Sequence, residues 1–329
     1  MLDISVGGLQ IILFAVIAFL ILHLSRKFFK GSQFEGHESA KGRVVAVTGS
    51  SSGIGLQVVR ELNIRGAKVY MLCRDIGRAE RAKAKITKLG CDPTRLVVRQ
   101  VDLTKFSSIR NFATQFANEE DHLDILVNNA GICFYPKYEA TTDGYELVWQ
   151  TNYLGHFLLT SLLLPSLRKS HFSRIINVAC DNHKKADSVD FSFVNQKRNY
   201  GRYKSCARSK LAMIMHARHL TQHLHTTDHS SGITINSVHP GVCFTNFLRY
   251  TLLVKTPLKQ ILTPFLWFFM RTDKDGAQTV LYAALSRDLH GLSGQYFADC
   301  KQAKPSEKAL DDEACNVLYN ASVEAVGLA

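Results

Sequence analysis

The sequence predicts an α/β fold, a doubly wound parallel sheet in a single domain that follows an N-terminal apolar segment. Two observations predict it. From residue 43 onward, short β-branched runs alternate with amphipathic helical patterns. A glycine-rich turn joins the first such run to the first helix. Repeated strand–helix–strand units make neighbouring strands parallel and place helices on both faces of the sheet.

The elements follow from these patterns in order. Strands are predicted at 43–48, 68–72, 96–101, 123–127, 174–178 and 233–238. Helices are predicted from the glycine-rich turn through Leu62, at 76–89 and 105–118, within 143–169, and at 206–224. The 329 residues contain no internal repeat. We therefore expect one domain over 43–329.

Composition excludes several classes of protein. Forty Lys and Arg against 28 Asp and Glu give a net charge of +12, with 46% hydrophobic and 21% charged residues. These proportions are typical of a globular protein and exclude bulk disorder. The excess positive charge lies in no dense basic run or nucleic-acid module, so we expect no nucleic-acid partner. A membrane surface explains the charge better, for the reason given next.

The first thirty residues predict a membrane anchor. Residues 4–24 are mostly apolar, with an unbroken apolar run over 11–22. About 20 such residues span the hydrocarbon core of a bilayer. Basic residues follow this segment, namely Arg26, Lys27 and Lys30. The prediction is a single-pass anchor over 1–30 with the rest of the chain in the cytosol, and a linker over 31–42. A buried core helix or an interfacial helix is the alternative.

The cysteines and histidines predict no metal site. None of the eight cysteines forms a C-x-x-C pair, which argues against a zinc ribbon and suits a reducing compartment. His216, His219 and His223 share a helix face, but no acidic partner accompanies them. We interpret them as a solvated helix face.

The glycine-rich turn is the first functional motif. It reads Thr48-Gly49-Ser50-Ser51-Ser52-Gly53-Ile54-Gly55 and lies between a predicted strand and a predicted helix. Its glycines permit a tight turn and a close approach of the backbone to a pyrophosphate at the helix N-terminus. The turn therefore predicts a dinucleotide site in a Rossmann-type fold.

Further motifs follow in order along the chain. They are Val101-Asp102-Leu103, Asn128-Asn129-Ala130-Gly131, Asn152 within Thr151-Asn152-Tyr153-Leu154-Gly155-His156-Phe157, Ser209-Lys210, and His239-Pro240-Gly241. With these motifs the chain resembles the short-chain dehydrogenase/reductase family over residues 40–329. It is most similar to the membrane-anchored branch that includes the retinol dehydrogenases.

The resemblance implies roles for the matching positions. The pyrophosphate would lie on Gly49, Gly53 and Gly55, and Ser51, Ser52 and Ile54 of the same turn would also contact the cofactor. Asp102 would approach the adenine, and Lys210 would hold the ribose. The remaining cofactor contacts would come from Asn129, Ala130, Gly131, Pro240, Gly241 and Thr245.

The end of the second predicted strand bears on the choice of cofactor. An acidic residue at Cys73 would favour the free ribose hydroxyl of NAD, whereas Arg74 can pair with a 2′-phosphate. We therefore favour NADP(H) over NAD(H). The alternative is that Arg74 is a surface charge and Asp75 binds the ribose.

The catalytic positions depart from the family pattern. The resemblance implies a tyrosine that handles the proton, a lysine four residues later that lowers the tyrosine's pKa, a serine at the substrate oxygen, and an asparagine. This chain keeps Asn152 and Lys210. The tyrosine position is Cys206 and the serine position is Cys180. Lys210 is expected to favour the thiolate of Cys206, and a water relay could then bridge the shorter side chain. Tyr203, three residues before Cys206, is the less favoured substitute.

Two functions therefore stay open. The first is an NADP(H)-dependent alcohol/carbonyl oxidoreductase that acts on a lipophilic retinoid, sterol or fatty aldehyde. The apolar stretch over about 246–272, where the family places its substrate lid, supports it. The second is a catalytically silent protein that binds the cofactor at a membrane. The resemblance suggests the endoplasmic reticulum and leaves a homo-oligomer open.

Overall fold

The computed structural model describes residues 6–228, 232–243 and 268–328. Its strands are β1 Val44–Thr48, β2 Lys68–Cys73, β3 Leu96–Gln100, β4 Ile125–Asn128, β5 Ser173–Val178, β6 Ile233–His239, β7 Tyr296–Ala298 and β8 Lys301–Gln302. Its helices are α1 Val6–Lys30, α2 Gly53–Ile64, α3 Ile76–Thr87, α4 Phe106–Glu119, α5 Leu147–Trp149, α6 Gly155–Arg168, α7 Phe191–Val194, α8 Lys204–Thr227, α9 Asp273–Leu285 and α10 Asp312–Ala325.

One sheet holds the described strands together, in the order β3-β2-β1-β4-β5-β6-β7-β8. The first seven strands pair in parallel, and β8 pairs antiparallel to β7. The chain runs outward from β1 through β2 to β3, and then returns to place β4 on the other side of β1. Ligands of open α/β sheets bind at such a reversal, beyond the carboxyl ends of the strands. The parallel Rossmann-type sheet predicted from the sequence is confirmed.

The alternation of strand side chains builds two cores. Val44 and Ala46 of β1 pack with α4, α6, α8 and α10 on one face of the sheet. Val45 and Val47 point the opposite way and pack with α2, α3 and α9. Because β1 is buried on both faces, it is an unbroken apolar run rather than an alternating one.

The described elements differ from the predicted ones in several places, and helices α7, α9 and α10 were not predicted. The helix predicted within 143–169 is divided into α5, a π-helical turn over Gln150–Leu154, and α6. Strands β7 and β8 were not predicted, because three-residue and two-residue strands carry too few positions for a period-two pattern. Most of the predicted lid lies outside the described residues, which resume at 268.

The predicted N-terminal anchor lies on α1. Across the described part of the chain, no helix is both long enough and apolar enough to cross a membrane, so the predicted span is not confirmed. Near its end, α1 contacts the rest of the protein. The buried Arg26 guanidinium lies 3.5 Å from the Asp275 carboxylate of α9. The Phe29 ring meets the rings of Phe268 and Phe269 at centroid distances of 6.0 and 5.1 Å.

Candidate active site

A cleft of about 350 Å³ opens at the carboxyl ends of the central strands. The loops after β1, β2, β3, β4, β5 and β6 line it, together with Lys210 from α8. Its position at the β1/β4 reversal is where the strand order leads one to expect a ligand. Both the predicted cofactor motifs and the predicted catalytic region therefore contribute to one cavity.

The glycine-rich turn forms one wall of the cleft. Gly49 adopts a φ of +65°, and a Cβ there would lie 2.8 Å from the Cα of Ala130. Gly55 packs as tightly, because a Cβ there would lie 2.7 Å from the carbonyl oxygen of Gly49. Ser52 precedes α2 without a side-chain hydrogen bond to the helix, so first-turn N–H groups of α2 have no cap from that side chain. A narrow backbone cradle at a helix N-terminus suits a pyrophosphate.

The Asn129–Gly131 segment lies beside the glycine-rich turn and is bonded to Thr48 at the end of β1. The Thr48 hydroxyl oxygen accepts hydrogen bonds from the backbone N–H groups of Asn129 and Ala130, each at 2.9 Å. The Asn129 amide in turn donates to the Thr48 carbonyl at 2.8 Å. These bonds hold the Asn129–Gly131 segment against the glycine-rich turn, so that both line the same cleft.

Charged side chains line the end of the cleft nearest β2. Arg74, Asp75 and Arg78 are exposed and border the cavity. Asp75 caps α3 by accepting from the Arg78 N–H at 2.9 Å, so its carboxylate is partly engaged by the helix. Cys73 is buried beside Ser50, with 3.2 Å between the thiol and hydroxyl. This end of the cleft therefore offers two guanidinium groups to an anion.

Lys210 and Asn152 lie at the other end, on buried elements. Lys210 is 3% exposed, lines the cleft, and donates from Nζ to the carbonyl oxygen of Val178 at 2.6 Å. Asn152 lies in the π-helical turn. Its Oδ1 accepts from Ile132 N at 2.8 Å, and its Nδ2 donates to Ile132 O at 2.9 Å and to Ser209 Oγ at 2.9 Å.

Three thiols occupy the region between these two residues. Cys180 lines the cleft, while Cys206 and Cys133 are buried behind it. Hydrogen bonding to Cys206, followed by burial, raises the pKa of the Cys180 thiol well above its ordinary value. Hydrogen bonding to Cys133 and burial raise the pKa of Cys206, although Cys180 and Lys210 act in the opposite direction. Lys210 therefore favours the thiolate of Cys206, as expected, but the hydrogen bond to Cys133 and burial outweigh its ammonium charge.

The two nearby tyrosines point to other partners. The Tyr203 hydroxyl donates to Asn182 Oδ1 at 2.6 Å, and the Tyr200 hydroxyl donates to the backbone oxygen of Tyr135 at 2.7 Å. Neither belongs to the described residues that line the cleft. Among all the residues that the structure describes, no group of three or more His, Cys, Asp or Glu side chains is arranged to hold a metal ion. The interpretation of His216 as part of a solvated helix face is wrong, because its ring is buried against Tyr153 and Phe157.

Residues 43–252 match the family model described as short chain dehydrogenase. This chain belongs to the short-chain dehydrogenase family. Retinol dehydrogenase 12 of Homo sapiens is 38% identical to it over 303 residues, with 92% of each chain covered. Retinol dehydrogenase 14 of Homo sapiens is 39% identical over 302 residues, with 87% of each covered. The protein is thus an oxidoreductase-family chain related to retinol dehydrogenases.

Solved structures agree with the short-chain dehydrogenase assignment. An uncharacterized protein from Mycobacterium Paratuberculosis superposes with a TM-score of 0.71 at 28% identity, covering 90% of this chain and 98% of that one. The NADP active-site complex of Pseudomonas aeruginosa RhlG superposes with a TM-score of 0.60 at 23% identity, covering 79% and 95%. The second similarity concerns the fold alone.

Most positions assigned from the short-chain dehydrogenase resemblance border the cleft. They are Gly49, Ser51, Ser52, Gly53, Ile54, Arg74, Asp102, Asn129, Ala130, Gly131, Cys180, Lys210, Pro240 and Gly241. Gly55, Asn152 and Cys206 lie behind the surface of the cavity. Thr245 lies outside the described residues. Arg78 and Cys243 also line the cleft and were not predicted, although a second arginine one turn after Arg74 was a readable signal for the former.

Proposed function

We propose that the protein binds NADP(H) in this cleft and slowly interconverts an alcohol and a carbonyl on a lipophilic molecule. One observation carries the proposal: the glycine-rich turn, the Asn129–Gly131 segment and Lys210 line a single cavity at the β1/β4 reversal. The relatives named retinol dehydrogenase support a lipophilic alcohol or carbonyl as the substrate class. Retinoids, sterols and fatty aldehydes all belong to this class.

The residues present fit a nicotinamide dinucleotide. The cradle at Gly49 and the uncapped start of α2 suit its pyrophosphate, and Lys210 would hold the nicotinamide ribose. When bound, the nicotinamide supplies or accepts the hydride. Arg74 would pair with a 2′-phosphate, and the buried thiol of Cys73 offers no carboxylate to a free 2′-hydroxyl. This is the basis for favouring NADP(H).

The proton would come from a thiol or from water. Cys180 faces the cleft and would contact the substrate oxygen, with Cys206 behind it. Because both thiols have raised pKa values, they are protonated near neutral pH and can act as proton donors when a carbonyl is reduced. A thiol is nevertheless a weak hydrogen-bond donor. General acid–base catalysis contributes about 10²–10⁴-fold to the rate. We therefore expect turnover to be slower by a factor of that order than in a chain with tyrosine and serine at these two positions.

The catalytically silent reading is the second candidate. It is favoured by the mutual contacts of Cys133, Cys180 and Cys206, which engage the thiols with one another at the positions where the resemblance implies hydroxyl groups. In this reading Lys210 and the glycine-rich turn bind the cofactor, and no proton is transferred.

We further propose that α1 attaches the protein to a membrane. The large apolar side chains described between Leu13 and Phe28 are 46% to 81% exposed, and Lys27 and Lys30 follow at the end of the helix. Exposed apolar surface with adjacent basic charge favours an anionic membrane surface. In this arrangement residues 43–329 form the catalytic domain on the cytosolic side, with the endoplasmic reticulum as the membrane that the resemblance suggests.

The test is NADPH binding and NADPH oxidation by the full chain with retinal, steroid and aliphatic-aldehyde substrates. It compares the unmodified protein, Lys210→Ala, and the Cys180→Ser/Cys206→Tyr double variant. Lys204→Ala is the matched control, because Lys204 begins the same helix and its exposed ammonium pairs with Asp187. Slow turnover that disappears in Lys210→Ala and persists in Lys204→Ala supports the enzyme. The double variant should then gain roughly 10²-fold or more.

The other outcomes separate the remaining readings. NADPH binding without turnover, with activity appearing only in the double variant, supports the silent protein. Absence of NADPH and NADH binding by the folded, unmodified protein contradicts both. A thermal melt accompanies each variant, because Cys206 packs against Cys133 and Val148 and a tyrosine ring there demands new space.

A further inference from the structure

His156 is a fully buried side chain that none of the roles above uses. It lies at the second residue of α6, behind the cleft. One ring nitrogen, Nε2, lies 2.8 Å from the Thr48 hydroxyl, and the other, Nδ1, lies 2.9 Å from the backbone oxygen of Asn152. The imidazole therefore bridges the start of the glycine-rich turn and the π-helical turn.

These two contacts determine where the ring carries its proton. A carbonyl oxygen can only accept, so Nδ1 must donate to Asn152 O. Nε2 of the neutral ring is then an acceptor, and the Thr48 hydroxyl donates to it. The neutral form is the expected one, since burial lowers the pKa of His156 to about 3, against the opposing effect of the bond to Asn152.

The direction in which the Thr48 O–H points affects how Thr48 holds the Asn129–Gly131 segment. Once its hydrogen points to His156, its lone pairs face the N–H groups of Asn129 and Ala130, each 2.9 Å away. If the proton were on Nε2 instead, the Thr48 oxygen would have to accept a third hydrogen bond, from His156. The Thr48 O–H would then have to turn toward the carbonyl oxygen of Val127, 3.4 Å away.

The other contact of His156, between Nδ1 and the Asn152 carbonyl oxygen, lies at the end of the cleft that contains Lys210. Asn152, whose carbonyl accepts from Nδ1, holds both backbone groups of Ile132 and the Ser209 hydroxyl with its side-chain amide. Ile132 lines the cleft immediately after the Asn129–Gly131 segment. One imidazole is thus bonded to both supports of this segment, Thr48 at its start and Asn152 at its end.

We propose that His156, as the neutral Nδ1–H tautomer, is a positioning residue that sets the geometry of the 129–132 cofactor wall through Thr48 and Asn152. The proposal rests on the proposed function insofar as the wall binds a nicotinamide cofactor. It concerns the wall itself, however, and can be tested on the protein without cofactor.

The test uses two variants that each keep one contact. His156→Gln places an amide oxygen near the Nε2 position and can accept from Thr48. His156→Asn places an amide N–H near the Nδ1 position and loses the contact with Thr48. His216→Asn is the matched control, because His216 is also buried and has its pKa lowered to about 3, yet it packs against Phe157 and Tyr153 and makes no hydrogen bond to Thr48.

The first readout is nuclear magnetic resonance without cofactor. In the unmodified protein we expect a neutral His156 with the proton on Nδ1, and slowly exchanging amides at Asn129 and Ala130. Exchange at these two amides should rise by roughly tenfold or more in His156→Asn, and should change little in His156→Gln and in His216→Asn. A proton on Nε2, or equal exchange in all the variants, overturns the proposal.

The second readout is the dissociation constant of NADPH. We expect it to rise by about three- to tenfold in His156→Asn, and to stay within about twofold in His156→Gln. In a Thr48→Val background, His156→Asn should have little additional effect, since the two residues act through one bond. Additive effects contradict the proposal. If the folded, unmodified protein binds no NADPH, the proposed function fails, and amide exchange alone decides the role of His156.

Discussion

Arg74 is the exposed side chain on which the proposed preference for NADP(H) depends. It borders the cleft beside Asp75, which caps α3. Cys73, the position where an acidic residue would select a free ribose hydroxyl, is buried against Ser50. The charge balance at this end of the cleft therefore depends on two guanidinium groups and one engaged carboxylate.

Replacing Arg74 should weaken the binding of NADPH much more than the binding of NADH. In Arg74→Ala, the dissociation constant of NADPH should rise about tenfold or more, because a hydrogen bond to a charged group contributes about 1.5–3 kcal/mol. The constant for NADH, which has no 2′-phosphate, should change by less than about twofold. Titrations that follow nicotinamide fluorescence measure both constants. Arg81→Ala is the control, since Arg81 is an exposed arginine of α3 away from the cleft. Equal weakening of both cofactors would rule out a 2′-phosphate contact.

At the scale of elements, α1 has one part that packs against the domain and another whose apolar side chains are exposed. Its last turns dock on the domain through Arg26 with Asp275 and through Phe29 with Phe268 and Phe269. The large apolar side chains that the structure describes between Leu13 and Leu24 are exposed. Helix α9 begins at Asp273, two residues after Arg271, and the Arg271 guanidinium donates to the carbonyl oxygen of Pro240, which lines the cleft. The docked end of α1 contacts α9 at Asp275 and therefore lies beside the opening of the cleft. A membrane bound by α1 would then face the route by which a lipophilic molecule enters.

Charges placed on the exposed face of α1 should release the protein from lipid. Leu20 and Leu24 lie one turn apart and are 50% and 62% exposed. In the Leu20→Asp/Leu24→Asp variant, binding to vesicles of phosphatidylcholine and phosphatidylserine should fall at least about tenfold. Flotation with the vesicles measures it. The dissociation constant of NADPH should not change, and Asp121→Asn, on an exposed loop, is the control. Undiminished flotation of the double variant would contradict attachment through α1.

At the scale of the whole molecule, buried ionisable groups set the pH dependence of stability. Glu146 is 1% exposed and accepts from the N–H groups of Val148 and Trp149, yet burial outweighs these bonds and raises its pKa to about 7. The folded state therefore holds this proton more tightly than the unfolded state. Its contribution to stability is complete below about pH 4.5, the usual value, and is lost as the pH rises through 7. Buried His156 and His216 act in the opposite direction, since their pKa values are lowered to about 3.

Removing the charge of Glu146 should change the pH dependence of the free energy of unfolding. Relative to the unmodified protein, Glu146→Gln should gain stability as the pH rises, by up to about 3 kcal/mol between pH 4.5 and 7.5. The amide oxygen can still accept from one of the two N–H groups at the start of α5, and the bond to the other is lost at every pH, so this loss does not change the pH dependence. Urea unfolding at a series of pH values measures the difference. Glu313→Gln, at an exposed position, should show a flat difference. A flat difference for Glu146→Gln as well would contradict the raised pKa.

Local patterns along the chain determined much of this protein. The strands through β6, the helices between them and the glycine-rich turn follow from side-chain periodicity and from glycine at Gly49 and Gly53, which are properties of neighbouring residues. Parallel strands place their carboxyl ends at one edge, so most of the assigned cofactor positions could be expected to meet there. The resemblance to the short-chain dehydrogenase family likewise assigned Cys180 and Cys206 to the serine and tyrosine positions near Lys210.

Only the tertiary structure decided the remaining features, because they depend on contacts between distant segments. The π-helical turn that divides the 143–169 helix carries Asn152, whose amide is bonded to Ile132, twenty residues earlier in the chain. Cys133 joins Cys180 and Cys206 only through the fold. Hydrogen bonding between the thiols, followed by burial, raises the pKa values of Cys180 and Cys206, which Lys210 alone would lower. The bridge made by His156 has the same origin. Periodicity reports which way a side chain faces, whereas hydrogen bonding and desolvation depend on what the folded chain places against it.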